Sequence, residues 1–364
     1  MNILQPTLSI KSGQGDYAVD FPATTGDLLE ALLAVPRAIV IMDRNIATLY
    51  ASQLAPLLQA CPTLLIDATE EEKTPAGVTR AWEFFQQSDA TKQTAVIVIG
   101  GGIIQDIGQF AAHNYYRGLN WHYVPTTLLG MADSCIGAKC GINLGAYKNQ
   151  LGVFHSPARV LICLPFLQTL SDTEIRSGYG EIVKLLLTRS GPELFAGLRD
   201  EVDARGFRNP RLAEFIRQSL EVKKTVIEED EYERDLRRIL NYGHTFGHAL
   251  EAITHHGIPH GMAVAWGVDL ANYISWRGGL LAEADFQAMH QFLAAHWGWQ
   301  LPRRVGAEEL VAGTKRDKKV ADGKINLILC TRPGELRIVP RIYDDTLTAT
   351  VAEYLERYNV VSYH

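Results

Sequence analysis

Five of the chain's 11 histidines fall within "NYGHTFGHALEAITHHGIPHGMA", running from Asn241 to Ala263. His244 and His248 are four residues apart, so a helix turns both to one face. Imidazoles at that spacing can meet one metal ion, although no glutamate follows His244 as it would in an HExxH motif. His260 sits in a glycine- and proline-rich loop just ahead of another helical stretch. A further ligand must come from elsewhere. "GYGEIVK" offers Glu181 on an otherwise apolar helix face, with Lys184 one turn later. A buried glutamate has to be paired or coordinated. His255 and His256, beside a glycine, read as loop surface. The alternative to a metal centre is a set of imidazoles on a solvated helix.

A second group of residues points to phosphate. Gly100, Gly101 and Gly102 end an apolar run and precede "IIQDIGQF", which reads as a helix start. Backbone without Cβ atoms at such a turn lets amide groups approach a phosphate, and the helix dipole adds to the attraction. The cluster is not the GxGxxG fingerprint, so a tight turn and a nucleotide cradle both remain open. Asp43 closes the first apolar run, "RAIVIMD", with Asn45 two residues on. An acid there can bind a ribose hydroxyl or cap a helix. Basic residues recur at Arg117, Lys139, Lys148 (just before Asn149), Lys184, Lys223, Arg237 and in "KRDKK" at 315–319. Together they could take phosphate and carboxylate; the last run could equally be a solvated turn.

These groups need elements to hold them. "RAIVIMD", "TLLID", "TAVIVIGGG" and "WHYVPTT" read as buried strands, with helical text such as "ATLYASQLAPLLQAC" between them. That alternation predicts a parallel sheet wrapped by helices, a Rossmann-like α/β domain. From about Ser171 long amphipathic stretches take over, among them "EIRSGYGEIVKLLLT", "LNYGHTFGHALEAI" and "HGMAVAWGVDLANYISW". "KINLILC" and "GELRIVP" suggest a hairpin within that mainly helical domain. The boundary is expected between about 155 and 175, giving domains at 1–165 and 166–364.

With 364 residues and 47% hydrophobic content, two cores are the default. A net charge of -6 and a pI near 6.0 argue against a nucleic-acid partner. No run approaches the length of a membrane span. The five cysteines are odd in number and lack CxxC spacing, which fits reduced thiols in a cytoplasmic protein. No basic segment followed by an apolar run opens the sequence, so no signal peptide is expected.

"GGGIIQDIGQFAA", "YYRGLNWHYVPTTLLGMADSCIGAKCGIN", "YKNQLG", "GYGEIVK", "DEYERDLRRILNYGHTFGHALE", "PHGMAVA" and "RDKKVADGKI" occur in that order along nearly the whole chain. Together they resemble the 3-dehydroquinate synthase family and, more broadly, the sugar phosphate cyclases. The resemblance implies an NAD-binding N-terminal domain and a helical C-terminal domain holding a divalent metal, zinc or cobalt, with the active site between them. It implies metal ligands Glu181, His244 and His260, with His248 handling a proton near the substrate hydroxyl. NAD contacts would be Asp43, Asn45, Glu70, Lys73, Gly101, Gly102, Asp106, Thr126, Thr127, Asp133 and Ser134. Phosphate contacts would be Lys139, Asn149, Lys318 and Arg117, the last from a neighbouring subunit of a homodimer. Lys184, Asn241, Lys223 and Arg237 would surround the sugar-acid end.

The implied activity is a phosphate-eliminating ring closure of a phosphorylated sugar or sugar acid, with NAD used catalytically. Five positions depart from the family's usual pattern: Ala138 and Gln105 where glycine is common, Met262 in place of glutamate, and Tyr179 and Gly180 in "GYGE" in place of "GLAE". They keep sedoheptulose 7-phosphate and glucose 6-phosphate open as substrates of a secondary-metabolism cyclase. Lys223 and Arg237, both present to receive a carboxylate, favour the sugar acid. A polyol or glycerol dehydrogenase of similar plan would need no phosphate sink, and the Lys139, Lys148, Asn149 and Lys318 set argues against it.

Overall fold

The computed structural model describes residues 7–145, 147–255, 257–298, 301, 303–315, 320–321 and 324–358. The chain divides into two compact units, Met1–Ser171 and Asp172–His364. The position 165/166 lies inside a short 3-10 turn, Leu164–Thr169.

The first unit holds β1 (Leu8–Ile10), β2 (Tyr17–Asp20), α1 (Thr25–Leu33), β3 (Ala38–Asp43), α2 (Arg44–Leu49), α3 (Ala51–Ala60), β4 (Thr63–Ile66), α4 (Pro75–Gln87), β5 (Ala95–Gly100), α5 (Gly102–Asn114), β6 (Asn120–Pro125), β7 (Lys139–Leu144), β8 (Tyr147–Phe154) and β9 (Arg159–Leu161). Seven strands form one sheet in the order β1-β2-β9-β6-β5-β3-β4, and every pair is parallel except β1 with β2. The reason is visible in β5. "AVIVIG" is buried at every position, as a central strand covered on both faces must be. The four strands expected from the sequence are β3 to β6. The helical text after β3 is two helices, broken at Tyr50.

β7 and β8 form a separate antiparallel ribbon that the sequence reading did not anticipate. Ala138, just before it, holds φ 59, in the left-handed region that an L side chain enters at a cost of about 1–2 kcal/mol. Its carbonyl accepts from Gln109 Nε2 at 2.6 Å and from His155 N at 2.9 Å, contacts that keep the peptide in place. Ala138→Gly is therefore expected to stabilise the chain by about 0.5–1 kcal/mol, or about 1–3 °C in Tm. Scanning calorimetry checks this, and a lower Tm would mean that the buried methyl packs better than the strain costs.

The second unit is mostly helical: α6 (Asp172–Leu186), α7 (Pro192–Arg205), α8 (Leu212–Glu229), α9 (His244–Ile253), α10 (His260–Arg277), α11 (Glu283–Trp297), α12 (Ala307–Thr314) and α13 (Asp345–Arg357). β10 (Val320–Ala321), β11 (Lys324–Arg332) and β12 (Glu335–Ile342) form an antiparallel sheet, which contains the expected hairpin. The text "LNYGHTFGHALEAI" is not one helix. A 3-10 turn, Leu236–Asn241, is separated from α9 by Tyr242 and by Gly243 at φ 76. Among the described residues no helix is long and apolar enough to cross a membrane.

Candidate active site

Three helices of the second unit converge on one cluster. Glu181 lies on α6 and is 1% exposed. His244 is the first residue of α9 and His260 the first of α10. Helix starts disfavour an imidazolium, because the positive end of the peptide dipoles lies there. The close approach of α6 and α10 depends on glycine. A Cβ at Gly180 would overlap the carbonyl of Gly261, and one at Gly261 would overlap that of Ser177. Ser177 Oγ accepts from Gly261 N at 3.0 Å, fixing the crossing.

His260 Nε2 is 3.2 Å, and His244 Nε2 3.7 Å, from Glu181 Oε1. The other nitrogen of each ring is engaged: His244 Nδ1 meets the Tyr242 carbonyl at 3.1 Å and His260 Nδ1 meets Glu251 Oε2 at 3.1 Å. Acceptors at Nδ1 select the neutral tautomer that leaves the Nε2 lone pair for a metal ion, which is how metal-binding histidines are oriented. Burial works against a charge on His260, but its hydrogen bonds to Glu181 and Glu251 and their charges outweigh that and raise it to about 10. Burial, then the Lys184 ammonium and the other two histidines, hold His244 well below its ordinary value. Donor atoms of His244, His248 and His260 all lie within 4.8 Å of one another. His248 is the exposed member. The chemistry of this set fits a divalent metal, and Glu251 and the Tyr242 carbonyl are supports that the sequence reading missed.

Lys184 Nζ is 2.5 Å from Glu181 Oε2, a buried pair. Lys223 on α8 is 7% exposed and Arg237 4% exposed. Arg237 is held by its backbone N donating to Asp230 Oδ2 at 3.0 Å and by its guanidinium donating to the Glu231 carbonyl. It lies in the 3-10 turn rather than on a helix surface. Asn241 Nδ2 donates to Glu233 Oε1 at 2.6 Å, and Glu233 itself has φ 56. Sequence reasoning offered Glu233 only as a helix-surface partner of Arg237 and did not connect it with Asn241. The acidic run "DEYERD" ahead of Arg237 was the available signal.

In the first unit the residues expected around NAD gather at the carboxyl ends of the parallel strands, where open α/β sheets bind ligands. Asp43 ends β3, Glu70 follows β4, Gly101 and Gly102 follow β5, and Thr126 and Thr127 follow β6. Gly101 caps α5 with no side-chain hydrogen bond, leaving the amides at the helix start to a ligand. Asp43 does cap α2, accepting from Asn45 N at 2.8 Å. Asp133 and Ser134 sit in a π-helical turn, Gly130–Ser134. Gln105 fixes that turn, donating to the Ser134 carbonyl at 2.8 Å and accepting from Ser134 Oγ at 2.7 Å. Lys73 Nζ reaches Asp106 Oδ2 at 3.1 Å and Asn149 Oδ1 at 2.8 Å. Burial raises the Asp106 carboxyl to about 6 against the pull of Lys73.

Of the phosphate group, Lys139 and Asn149 belong to the β7–β8 ribbon. Lys318 lies outside the described residues. Arg117, exposed at φ 69, follows the far end of α5, about 20 Å along that helix from Gly102. Within its own unit it stands away from the strand ends that carry the other candidates.

A Rossmann-like sheet unit followed by a helical unit with a histidine–carboxylate centre is the plan of the NAD- and metal-dependent cyclases and dehydrogenases. Profiles described as 3-dehydroquinate synthase N-terminal and C-terminal match residues 63–177 and 178–320. The 3-dehydroquinate synthase of Dehalococcoides mccartyi is 34% identical over 93% of this chain and 94% of the relative. That of a Picosynechococcus species is 32% identical over 97% and 100%. The chain belongs to the 3-dehydroquinate synthase family. Among solved structures, 2-deoxy-scyllo-inosose synthase in complex with carbaglucose-6-phosphate, NAD+ and Co2+ is 25% identical with a TM-score of 0.85, covering 96% of this chain and 100% of its own. The 2-epi-5-epi-valiolone synthase of Streptomyces hygroscopicus, with NAD+ and Zn2+ bound, is 26% identical with a TM-score of 0.83, covering 95% and 99%. Glycerol dehydrogenase from Schizosaccharomyces pombe, at 14% identity and a TM-score of 0.58, shares the fold.

Proposed function

We propose that the chain converts 3-deoxy-arabino-heptulosonate 7-phosphate to 3-dehydroquinate and inorganic phosphate, as a cytoplasmic homodimer using NAD and one divalent metal ion. The observation that carries the choice of a sugar acid is the pair of buried cations, Lys223 and Arg237, in the unit that holds the Glu181–His244–His260 cluster. Both side chains can donate charge-assisted hydrogen bonds to a carboxylate, and burial strengthens such bonds.

Glu181, His244 and His260 would hold the metal, which when bound lends Lewis acidity to a ring carbinol oxygen. NAD supplies a hydride acceptor that is regenerated within each turnover, so no net NADH forms. Lys184 balances the charge of Glu181. His248, exposed beside the cluster, can hold or move the proton at the carbinol oxygen. Arg237 and Lys223 orient the carboxylate, and Asn241, anchored by Glu233, presents its amide to the sugar. Lys139, Asn149 and Lys318, with Arg117 of a second chain, take the phosphate. Most of the rate then comes from holding charges and orientation.

The test is phosphate release with NAD+ from 3-deoxy-arabino-heptulosonate 7-phosphate, sedoheptulose 7-phosphate and glucose 6-phosphate in parallel. Release from the sugar acid without growth of NADH absorbance is expected. Turnover of sedoheptulose 7-phosphate alone would make Ala138 and Met262 the better guides. Stoichiometric NADH from an unphosphorylated polyol would indicate a dehydrogenase.

A further inference from the structure

The side-chain amide of Asn143 joins two groups that the proposed function uses separately. Asn143 is 7% exposed, on β7. Its Nδ2 donates to Glu70 Oε1 at 2.8 Å, and its Oδ1 accepts from the backbone N of Asn149 at 2.9 Å. Only one orientation of the amide satisfies both, since a carboxylate needs a donor and an N–H needs an acceptor. The backbone N of Asn143 donates to the Lys73 carbonyl at 2.9 Å. Asn149 stands at φ 53, a conformation that has to be held from outside. Its own Oδ1 takes the Lys73 ammonium. One buried amide thus ties the acid that follows β4 to the strained residue of the β7–β8 ribbon.

We propose that Asn143 is a positioning residue that couples NAD binding at Glu70 and Lys73 to phosphate binding at Asn149. The inference rests on the proposed function, with Glu70 and Lys73 as the NAD contacts that the family resemblance implies. An anion on Asn149 stabilises its left-handed backbone, which holds Asn143, which holds the Glu70 carboxylate in place for NAD. Because coupling is reciprocal, NAD tightens phosphate binding by the same factor.

The experiment is calorimetric titration of the full chain with NAD+, with and without saturating inorganic phosphate. In the native protein phosphate is expected to lower the NAD Kd by about fivefold or more, the low end of ordinary coupling between sites. Asn143→Asp keeps the acceptor for Asn149 but sets a carboxylate against Glu70, and it should bring the ratio to about one. Adding Glu70→Gln to that variant restores a donor–acceptor pair with reversed polarity, and the ratio should return even where NAD affinity itself is lower. A merely structural role would change both Kd values and leave their ratio alone. A native ratio of one, or an unchanged ratio in Asn143→Asp, overturns the inference while NAD binding leaves the proposed function standing. A native chain that binds no NAD overturns the proposed function itself. Failure of the double variant to regain coupling while it binds both ligands also counts against the inference.

Discussion

Glu181→Gln is expected to lose stoichiometric metal and about a thousandfold or more of phosphate-releasing activity. Glutamine keeps the shape of the side chain and removes its charge. The Glu181 carboxylate faces His260 Nε2 at 3.2 Å, His244 Nε2 at 3.7 Å and Lys184 Nζ at 2.5 Å. An amide is a far weaker ligand for a divalent ion than a carboxylate, and residues that merely orient a ligand already cost about 10–100-fold when removed. Three decades of rate correspond to about 4 kcal/mol, within the range a bound metal supplies as a Lewis acid. The substitution also leaves the Lys184 ammonium buried without this counter-charge, so a lower Tm is expected as well. Elemental analysis of the purified variant, beside His260→Ala, checks the ligand set. Full metal content with full activity in either variant would remove that residue from the centre.

Arg237→Lys is expected to lower kcat/KM for the sugar acid by about 10–100-fold, with much less effect on a neutral sugar phosphate. The charge survives; the planar fork that accepts a carboxylate on two parallel bonds does not. A charge-assisted hydrogen bond contributes about 1.5–3 kcal/mol, and each decade is about 1.4 kcal/mol. The guanidinium is buried and anchored to the Glu231 carbonyl, so a lysine at this site would also lose that anchor. Taking the ratio of the two substrates cancels any general loss of folded protein. Equal losses on both would mean that Arg237 shapes the Asp230–Asn241 segment and does not touch the carboxylate.

The parts of this protein that follow a single period were legible before the structure. β3 to β6 are apolar runs bounded by turn residues, and α10 is a long apolar stretch opened by proline. Glu181, on an apolar face, and His244, four residues from His248, drew attention from pattern alone, while the full candidate set with His260 came from the family resemblance. What sequence reading lost were features that depend on one backbone angle or on a distant partner. Gly243 at φ 76 breaks what periodicity offers as one helix. The β7–β8 ribbon hides because most of β8 is exposed and polar, with no buried face to set an alternation. Gln105, Gln109 and Asn143 look like surface residues until their partners, 29, 29 and 73 residues away, come into view. Glu251 and the Tyr242 carbonyl, which orient the histidines, carry no spacing signal of their own.

The contact between Gly180 and Gly261 bears on which sequences can lie one mutational step from this one. Most helix pairs are separated by side chains, which repack when a residue changes and so absorb substitution without moving the backbone. Here main chain meets main chain, with a carbonyl where a Cβ would go. No intermediate of slightly larger size is available, and the spacing of Glu181 from His260 is tied to the backbone itself. A chain with alanine at 180 must set α6 and α10 further apart and re-space its ligands as it does so. The two positions are therefore free to drift only together, and a graft of either helix from a relative carries its own metal geometry with it.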